Sequence, residues 1–234
     1  MDVASVYLIP TVIDENSYES LPAYILDAVK KCEVFFVENE RTARRYLKKL
    51  WPEMVIDDYQ WYAIHKAEDS VRQDLLRLIN QHATIGIISE AGCPGVADPG
   101  QILVETAQQA GAVVKPLVGP SSLLLALMAS GMNGQLFRFN GYLPIDNMQQ
   151  AKTLKALEAE SAKTGCTQLF IETPYRNNRL LDAILKHCAA NTKLCLGVNI
   201  TAPQESIVTK TLSGWKKAKP DLHKKPVVFL LSAG

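Results

Sequence analysis

Short apolar runs rich in β-branched and aromatic residues recur along the first half of the chain, at residues 6–10, 34–37, 84–88 and 113–117. Each is bounded by polar or Gly/Pro residues, so each is predicted to be a strand. Between the first two, Leu21, Tyr24, Ile25, Ala28 and Val29 fall at helical spacing, which predicts a helix with Ser20 as its cap and Pro22 in its first turn. Val71, Leu75, Leu78 and Ile79 repeat that spacing before residue 84, and residues 102–110, closed by Gly111, repeat it afterwards. Strands alternating with amphipathic helices indicate parallel strands joined by crossovers.

Pro116-Leu117-Val118-Gly119-Pro120-Ser121-Ser122 interrupts this pattern and opens a small-residue helix over 123–130, so it reads as an interdomain joint. The boundary is placed near 117, giving domains 1–116 and 117–234. The second half is expected to run as a strand at 136–140, a turn at 141–144, a polar helix at 148–163 and a strand at 168–172. A helix at 178–188, a strand at 194–200, an extended stretch at 206–212 and a strand at 227–231 follow. The predicted fold class is α/β, with two α/β domains: a parallel sheet in the first and a mixed sheet in the second.

Composition narrows the class. The chain has 234 residues and is 47% hydrophobic, enough to bury a sizeable core. Its net charge of +1 shows no global preference for nucleic acid, although charge can still be concentrated locally. Cys32, Cys93, Cys166, Cys188 and Cys195 are odd in number and form no CxxC pair, so neither a disulfide framework nor a zinc site is expected. The longest apolar runs, such as 123–129, are far too short to cross a membrane, and Met1-Asp2 lacks the basic region of a signal peptide. A soluble, unprocessed, cytoplasmic protein with no membrane partner is expected.

The chemistry is concentrated in Ile88-Ser89-Glu90-Ala91-Gly92-Cys93-Pro94-Gly95-Val96-Ala97-Asp98-Pro99-Gly100, which directly follows a predicted strand. Three glycines, two prolines and two carboxylates in thirteen residues continue neither a strand nor a helix. A loop beyond the carboxyl end of a strand in an open α/β sheet is a binding-site candidate. Dinucleotide, P-loop and α/β-hydrolase motifs are absent, and His65, His82, His187 and His223 lack ligand spacing, so these histidines read as surface or structural. On local grounds alone Glu90 and Asp98 would cap turns or the helix from Gln101, and Ser121 and Ser122 would cap the next helix. The basic run Arg41, Arg44, Arg45, Lys48, Lys49 is either a phosphate-binding surface or a solvated helix face. Trp61, Tyr62 and His65 either stack on a base or cover the core.

Six segments occur in an order that resembles the tetrapyrrole methylase superfamily. They are Val6-Tyr7-Leu8-Ile9-Pro10, Phe36-Val37-Glu38-Asn39-Glu40-Arg41, the 88–100 loop, Gly119-Pro120-Ser121-Ser122, Phe139-Asn140-Gly141-Tyr142-Leu143-Pro144 and Phe170-Ile171-Glu172-Thr173-Pro174-Tyr175-Arg176. Within the superfamily they look most like the ribosomal small-subunit RNA methyltransferase I branch. The resemblance implies S-adenosylmethionine-dependent methyl transfer, a cofactor in the cleft between two α/β domains, and a homodimer. Carried over by position, it places the cofactor on Ser89, Glu90, Ala91, Gly92, Cys93, Ser121, Ser122 and Ile171, and extends it to Asn199 and Pro226. No metal is required.

The residue types suit such a ligand: a carboxylate for hydroxyls, backbone N–H groups at a Gly-rich turn or helix start, and an apolar slot. A ribose 2′-hydroxyl is a poor nucleophile, so Glu38, Glu40 and Asp98 become candidates for the base. The alternatives are a methyltransferase acting on a small tetrapyrrole-like molecule or a protein, and a non-catalytic cofactor-binding or ribosome-associated module. The chain departs from the branch at Pro10-Thr11-Val12-Ile13-Asp14-Glu15-Asn16, where T-P-[IL]-G-N is usual, and at Thr201-Ala202-Pro203-Gln204-Glu205, which lacks the usual lysine. Acids in a substrate-facing loop oppose a phosphate backbone. Together with the short C-terminus, this suggests a divergent member.

Overall fold

A computed structural model describes residues 3–64 and 68–234; Met1, Asp2 and His65 lie outside the described residues. The chain divides into two compact units, Met1–Ser121 and Ser122–Gly234.

The first unit holds strands β1 (Ser5–Ile9), β2 (Val34–Val37), β3 (Gln60–Ala63), β4 (Thr84–Ile88) and β5 (Val113–Pro116), and helices α1 (Tyr24–Val29), α2 (Glu40–Leu50), α3 (Glu68–Asn80) and α4 (Gln101–Gln109). The sheet order is β3-β2-β4-β1-β5 and every pairing is parallel. Both faces are covered, which explains why the strands read as continuous apolar runs. Val34 and Phe36 join Leu75, Ile85, Leu103 and Ala107 on one face, whereas Phe35 and Val37 join Ile25, Val29, Tyr46 and Leu47 on the other.

The second unit contains α5 (Ser122–Ser130), β6 (Phe137–Tyr142), α6 (Asn147–Thr164), β7 (Thr167–Ile171), α7 (Asn177–His187), β8 (Lys193–Val198), β9 (Ser206–Thr211), α8 (Leu212–Lys217) and β10 (Val227–Ser232). Its order is β6-β7-β10-β8-β9, with β6 and β7 parallel and the rest antiparallel. Phe170 stacks on Phe229 at 5.7 Å in its core, and the buried Trp215 donates its indole N–H to the Leu194 carbonyl at 2.8 Å. Asp146 caps α6 by accepting from the Met148 and Gln149 amides, and Gly165 ends it in the left-handed conformation.

Two expectations need correction, and two elements were not foreseen. Ser20 does not cap α1: its hydroxyl turns back to the Ser17 carbonyl at 2.7 Å within a short 3₁₀ turn, and the helix starts after Ala23. The first half of the turn expected at 141–144 is strand, because β6 bulges between Phe139 and Tyr142 and continues through Gly141 to Tyr142. Strand β3 had no alternating pattern to reveal it. Helix α8 follows the extended stretch because the Thr211 hydroxyl caps it by accepting from the Gly214 amide.

Candidate active site

The parallel sheet sets the geometry of the first unit. Pro10 follows β1, Glu38 follows β2, Ser89 follows β4 and Leu117 follows β5, so four connections gather at the carboxyl edge where open α/β sheets bind ligands.

Three of these connections interlock. The Thr11 amide donates to the Gly92 carbonyl at 2.8 Å, and the Thr11 hydroxyl to the Ser89 carbonyl at 3.4 Å. The Cys93 thiol points at the Pro120 carbonyl, 3.4 Å away. Gly119 leaves no room for a side chain, since a Cβ there would sit 2.1 Å from the Pro10 Cβ. Gly92 takes φ +73°, which an L side chain rarely adopts, with the Pro120 carbonyl 3.2 Å from where its Cβ would lie. Tyr46 fixes the first connection from below by donating to the Pro10 carbonyl at 2.8 Å.

The fourth connection brings in the carboxylates. Glu38 accepts the Glu90 amide at 3.1 Å, and Glu90 accepts from the Thr42 hydroxyl at 3.4 Å. Asp98 is half-buried, and its carboxyl is pushed up to about 6, chiefly by burial and by the neighbouring Glu38, with a smaller push from Glu90; the nearby Ser89 hydroxyl works in the opposite direction. Burial and the Asp98 carboxylate also raise the Cys93 thiol. Glu40 is engaged elsewhere, in an ion pair with Arg44.

Asp98 does not cap α4, whose N-cap is Gly100 with no side-chain cap, so the simple capping reading fails there. Asp98 instead lines a cavity of about 180 Å³ with Pro99, Gly100, Gln101, Ile102, Leu103, Ile64 and Val71. A second recess of about 340 Å³ lies on Leu8, Pro94, Gly95, Gln101, Val104 and Glu105. The loop is therefore flanked by open space on two sides.

The proposed nucleic-acid contacts on α2 and β3 are mostly committed to structure. Arg44 lies over the Trp61 ring at 5.1 Å, Lys48 donates to the Pro52 and Met54 carbonyls at 2.6 and 2.9 Å, and Lys49 to the Glu15 carbonyl at 3.2 Å. Trp61 stacks on Phe35 and Tyr62 on Phe36, at 5.1 and 4.8 Å between centroids. Both rings cover the core, the blander of the two readings.

In the second unit, strand pairing brings Ile171, Asn199 and Pro226 to one end of the sheet. Ile171 pairs with Val228, Val198 pairs with Val227, and the Asn199 amide donates to the Pro226 carbonyl at 3.0 Å. Asn199 and Thr201 both have positive φ, 50° and 69°, which for β-branched Thr201 is strained backbone. Helix α5 starts nearest this end and runs away from it. Ser130 accepts from Thr209, which pairs with Cys195, while Ala126 abuts Gly197 two residues further along β8, so Ser122 leads toward Asn199. Glu172, next to Ile171, is buried and accepts from the Thr173 amide and from Arg176 at 2.7 and 2.6 Å.

Sequence reasoning gave no role to Thr11, Thr42 and Tyr46, which hold the loops. Their only signal was position just after a strand or on the helix that follows it.

Residues 17–214 match the family described as Tetrapyrrole (Corrin/Porphyrin) Methylases. A ribosomal RNA small subunit methyltransferase I of Vibrio cholerae is 30% identical over 232 residues, 97% of this chain and 76% of that one. The protein of the same name in Bacillus subtilis is 27% identical, over 92% of this chain and 70% of its own length. Among solved structures, the methyltransferase CobJ superposes with a TM-score of 0.64 at 16% identity, covering 99% of this chain and 94% of that one. A uroporphyrin-III C-methyl transferase from Thermus thermophilus, complexed with S-adenyl homocysteine, gives 0.58 at 16% identity over 98% and 97%. From the fold, the ordered motifs and a family match that spans both units, this chain belongs to the tetrapyrrole methylase family.

Proposed function

We propose that this protein transfers a methyl group from S-adenosylmethionine to a ribose 2′-hydroxyl of small-subunit ribosomal RNA. One observation carries the reading: the likeness to ribosomal RNA small subunit methyltransferase I runs through 97% of the chain and is not confined to the cofactor loop. S-Adenosylmethionine supplies an electrophilic methyl group on a sulfonium.

The proposed cofactor residues are Ser89, Glu90, Ala91, Gly92, Cys93 and Ser121 of the first unit and Ser122, Ile171, Asn199 and Pro226 of the second. The donor set fits the group. Glu90 offers a carboxylate acceptor for ribose hydroxyls, Gly92 permits close backbone approach, and the apolar Ile171 and Pro226 suit an adenine ring. Of the three candidate bases, Asp98 is the best placed, because it borders the cavity whereas Glu40 is paired with Arg44 and Glu38 holds the Glu90 amide. In the transfer the sulfur–methyl bond breaks and the oxygen–methyl bond forms. The hydroxyl proton passes to the Asp98 carboxylate, whose raised affinity for protons suits a base.

The protein is also proposed to act as a homodimer in the cytoplasm. Leu124 and Met128, 51% and 79% exposed and four residues apart on α5, support the dimer. Among the described residues no helix is long and apolar enough to cross a membrane. Light scattering should return twice the chain mass; a monomer at micromolar concentration removes the dimer.

Asp14 and Glu15 in the 10–16 segment favour a second reading, a small-molecule or protein acceptor, since they repel phosphate. Incubation with methyl-labelled cofactor and fractionated lysate from a deletion strain separates the readings. Label in small-subunit RNA, recovered as a 2′-O-methylnucleoside, is the expected result. Label in metabolites or protein supports the second reading, and cofactor binding without transfer to any fraction supports a non-catalytic module.

A further inference from the structure

The near-neutral net charge conceals a division. Residues 1–121 hold 11 of the 25 Lys and Arg and 17 of the 24 Asp and Glu, a formal charge of −6. Residues 122–234 hold 14 and 7, a formal charge of +7. A polyanion is therefore repelled by the first unit and attracted by the second.

Within the second unit the positive charge forms a track. Residues 216–225 contain five lysines and His223 against a single acid, Asp221. The segment is laid along α7: Lys219 pairs with Asp182 at 2.5 Å, and Asn178 donates to Asp221 at 2.7 Å. The Lys224 amide then donates to the Pro174 carbonyl at 3.0 Å. Lys216, Lys217 and Lys224 are exposed.

The track ends at an aromatic platform. Tyr175 is 70% exposed, and the His223 ring meets it edge-on at 5.9 Å and 73°. Tyr175 lies four residues past Ile171, and His223 three residues before Pro226, so the platform stands at the sheet end that carries the second unit's proposed cofactor residues. Apart from its edge contact with His223, Tyr175 leaves most of its surface to solvent beside the lysine track. Cationic grooves that end on stacking aromatics bind single-stranded nucleic acid, because every base has a π-face.

We infer that Tyr175, braced by His223 and fed by Lys216, Lys217 and Lys224, is the docking surface for a single-stranded segment of the RNA substrate. The inference rests on the ribosomal RNA reading and places substrate recognition on the second unit, away from the basic run of α2.

The test measures binding of a fluorescein-labelled single-stranded oligoribonucleotide by anisotropy over a salt series, alongside calorimetry with S-adenosylhomocysteine and methylation of small ribosomal subunits. Tyr175→Ala should weaken oligonucleotide binding about tenfold, the loss of one stacked base, and Tyr175→Phe should restore it. The Lys216→Ala/Lys217→Ala double variant should flatten the salt dependence by about 1.4 log units per log unit, two phosphate contacts on a single strand. Cofactor affinity and melting temperature should stay at wild-type values in each, since these side chains are exposed. Unchanged RNA affinity and salt slope in these variants, with wild-type protein still labelling the RNA, overturns the docking surface and leaves the function standing. Failure of the wild-type protein to label RNA, with tight oligonucleotide binding that still depends on Tyr175, overturns the function and leaves the surface standing.

Discussion

The two units solve different problems with similar amounts of chain. The first is acidic and all-parallel, and it closes its carboxyl edge with loops that fit so tightly that Gly119 cannot carry a methyl group. The second is basic and mixed, and it leaves Tyr175 and its lysines standing in solvent. Rigidity suits a cofactor of fixed shape, because loops already in position lose little entropy on binding. An exposed platform suits a long flexible polymer that is met first by charge and then by stacking. The proposed division of labour follows from where each sheet places its strand ends and which charges sit there.

The largest effect should come from cutting into one core alone. Phe229 is fully buried against Phe170 in the second unit, so Phe229→Ala should cost about 3–5 kcal/mol there. The first unit has its own clusters around Leu75 and Leu47. Melting followed by Trp215 fluorescence should fall well ahead of melting followed by Trp51 and Trp61, with the second transition near its wild-type temperature. A single transition shifted as a whole would show that the units unfold together.

Next in size is the locked edge. Gly119→Ala forces a Cβ into the Pro10 ring and should cost about 1–3 kcal/mol, together with most of the affinity for S-adenosylhomocysteine. Pro10→Gly added to it removes the clashing atoms and should return part of both. Gly197→Ala is the matched change in the second unit. Its Cβ would lie 3.0 Å from the Ile200 Cδ1 and 3.1 Å from the Ala126 Cβ, the first of which can swing away, so its cost should be smaller. If the two glycines cost the same, the first unit's edge is no tighter than ordinary packing. Melting curves and calorimetry on the three variants decide this.

Much of this contrast was legible in the sequence and part of it was not. The parallel strands showed because they are buried on both faces, so that Val34 to Val37 is apolar throughout, and the mixed sheet showed in its spacing. Strand β3 did not show: Gln60-Trp61-Tyr62-Ala63 is an edge strand whose aromatics cover Phe35 and Phe36, and no alternation marks it. Helix α8 was hidden because six residues carry too little periodicity. The Ser89–Gly100 loop was found from glycines and prolines, which act locally. The partners that hold it are 26 to 78 residues away in sequence, beyond any local pattern. The charge division was countable from the start, but it meant nothing until the chain had been cut at the right place.

The smallest predicted effect on stability is the most informative about chemistry, and it concerns Asp98. Its folded-state value of about 6 lies above the ordinary 3.8, so the fold holds the protonated form better than the unfolded chain does. The ionised carboxylate therefore costs stability fully above about pH 6; that cost shrinks as pH falls from 6 toward 3.8 and is gone below it. Asp98→Asn removes the charge at every pH. It should raise the melting temperature by a few degrees at pH 7.5, with the gain fading toward pH 4. The same change should lower methyl transfer about a hundredfold while sparing cofactor binding, because an amide cannot take the hydroxyl proton. Stability up and transfer down is the signature of a group kept for reaction against the interest of the fold. If Asp98→Asn melts with the wild type at pH 7.5, the carboxylate is not under strain. If transfer is unchanged, the base is another group, and Glu38, at the end of the neighbouring strand on the same edge, becomes the residue to replace.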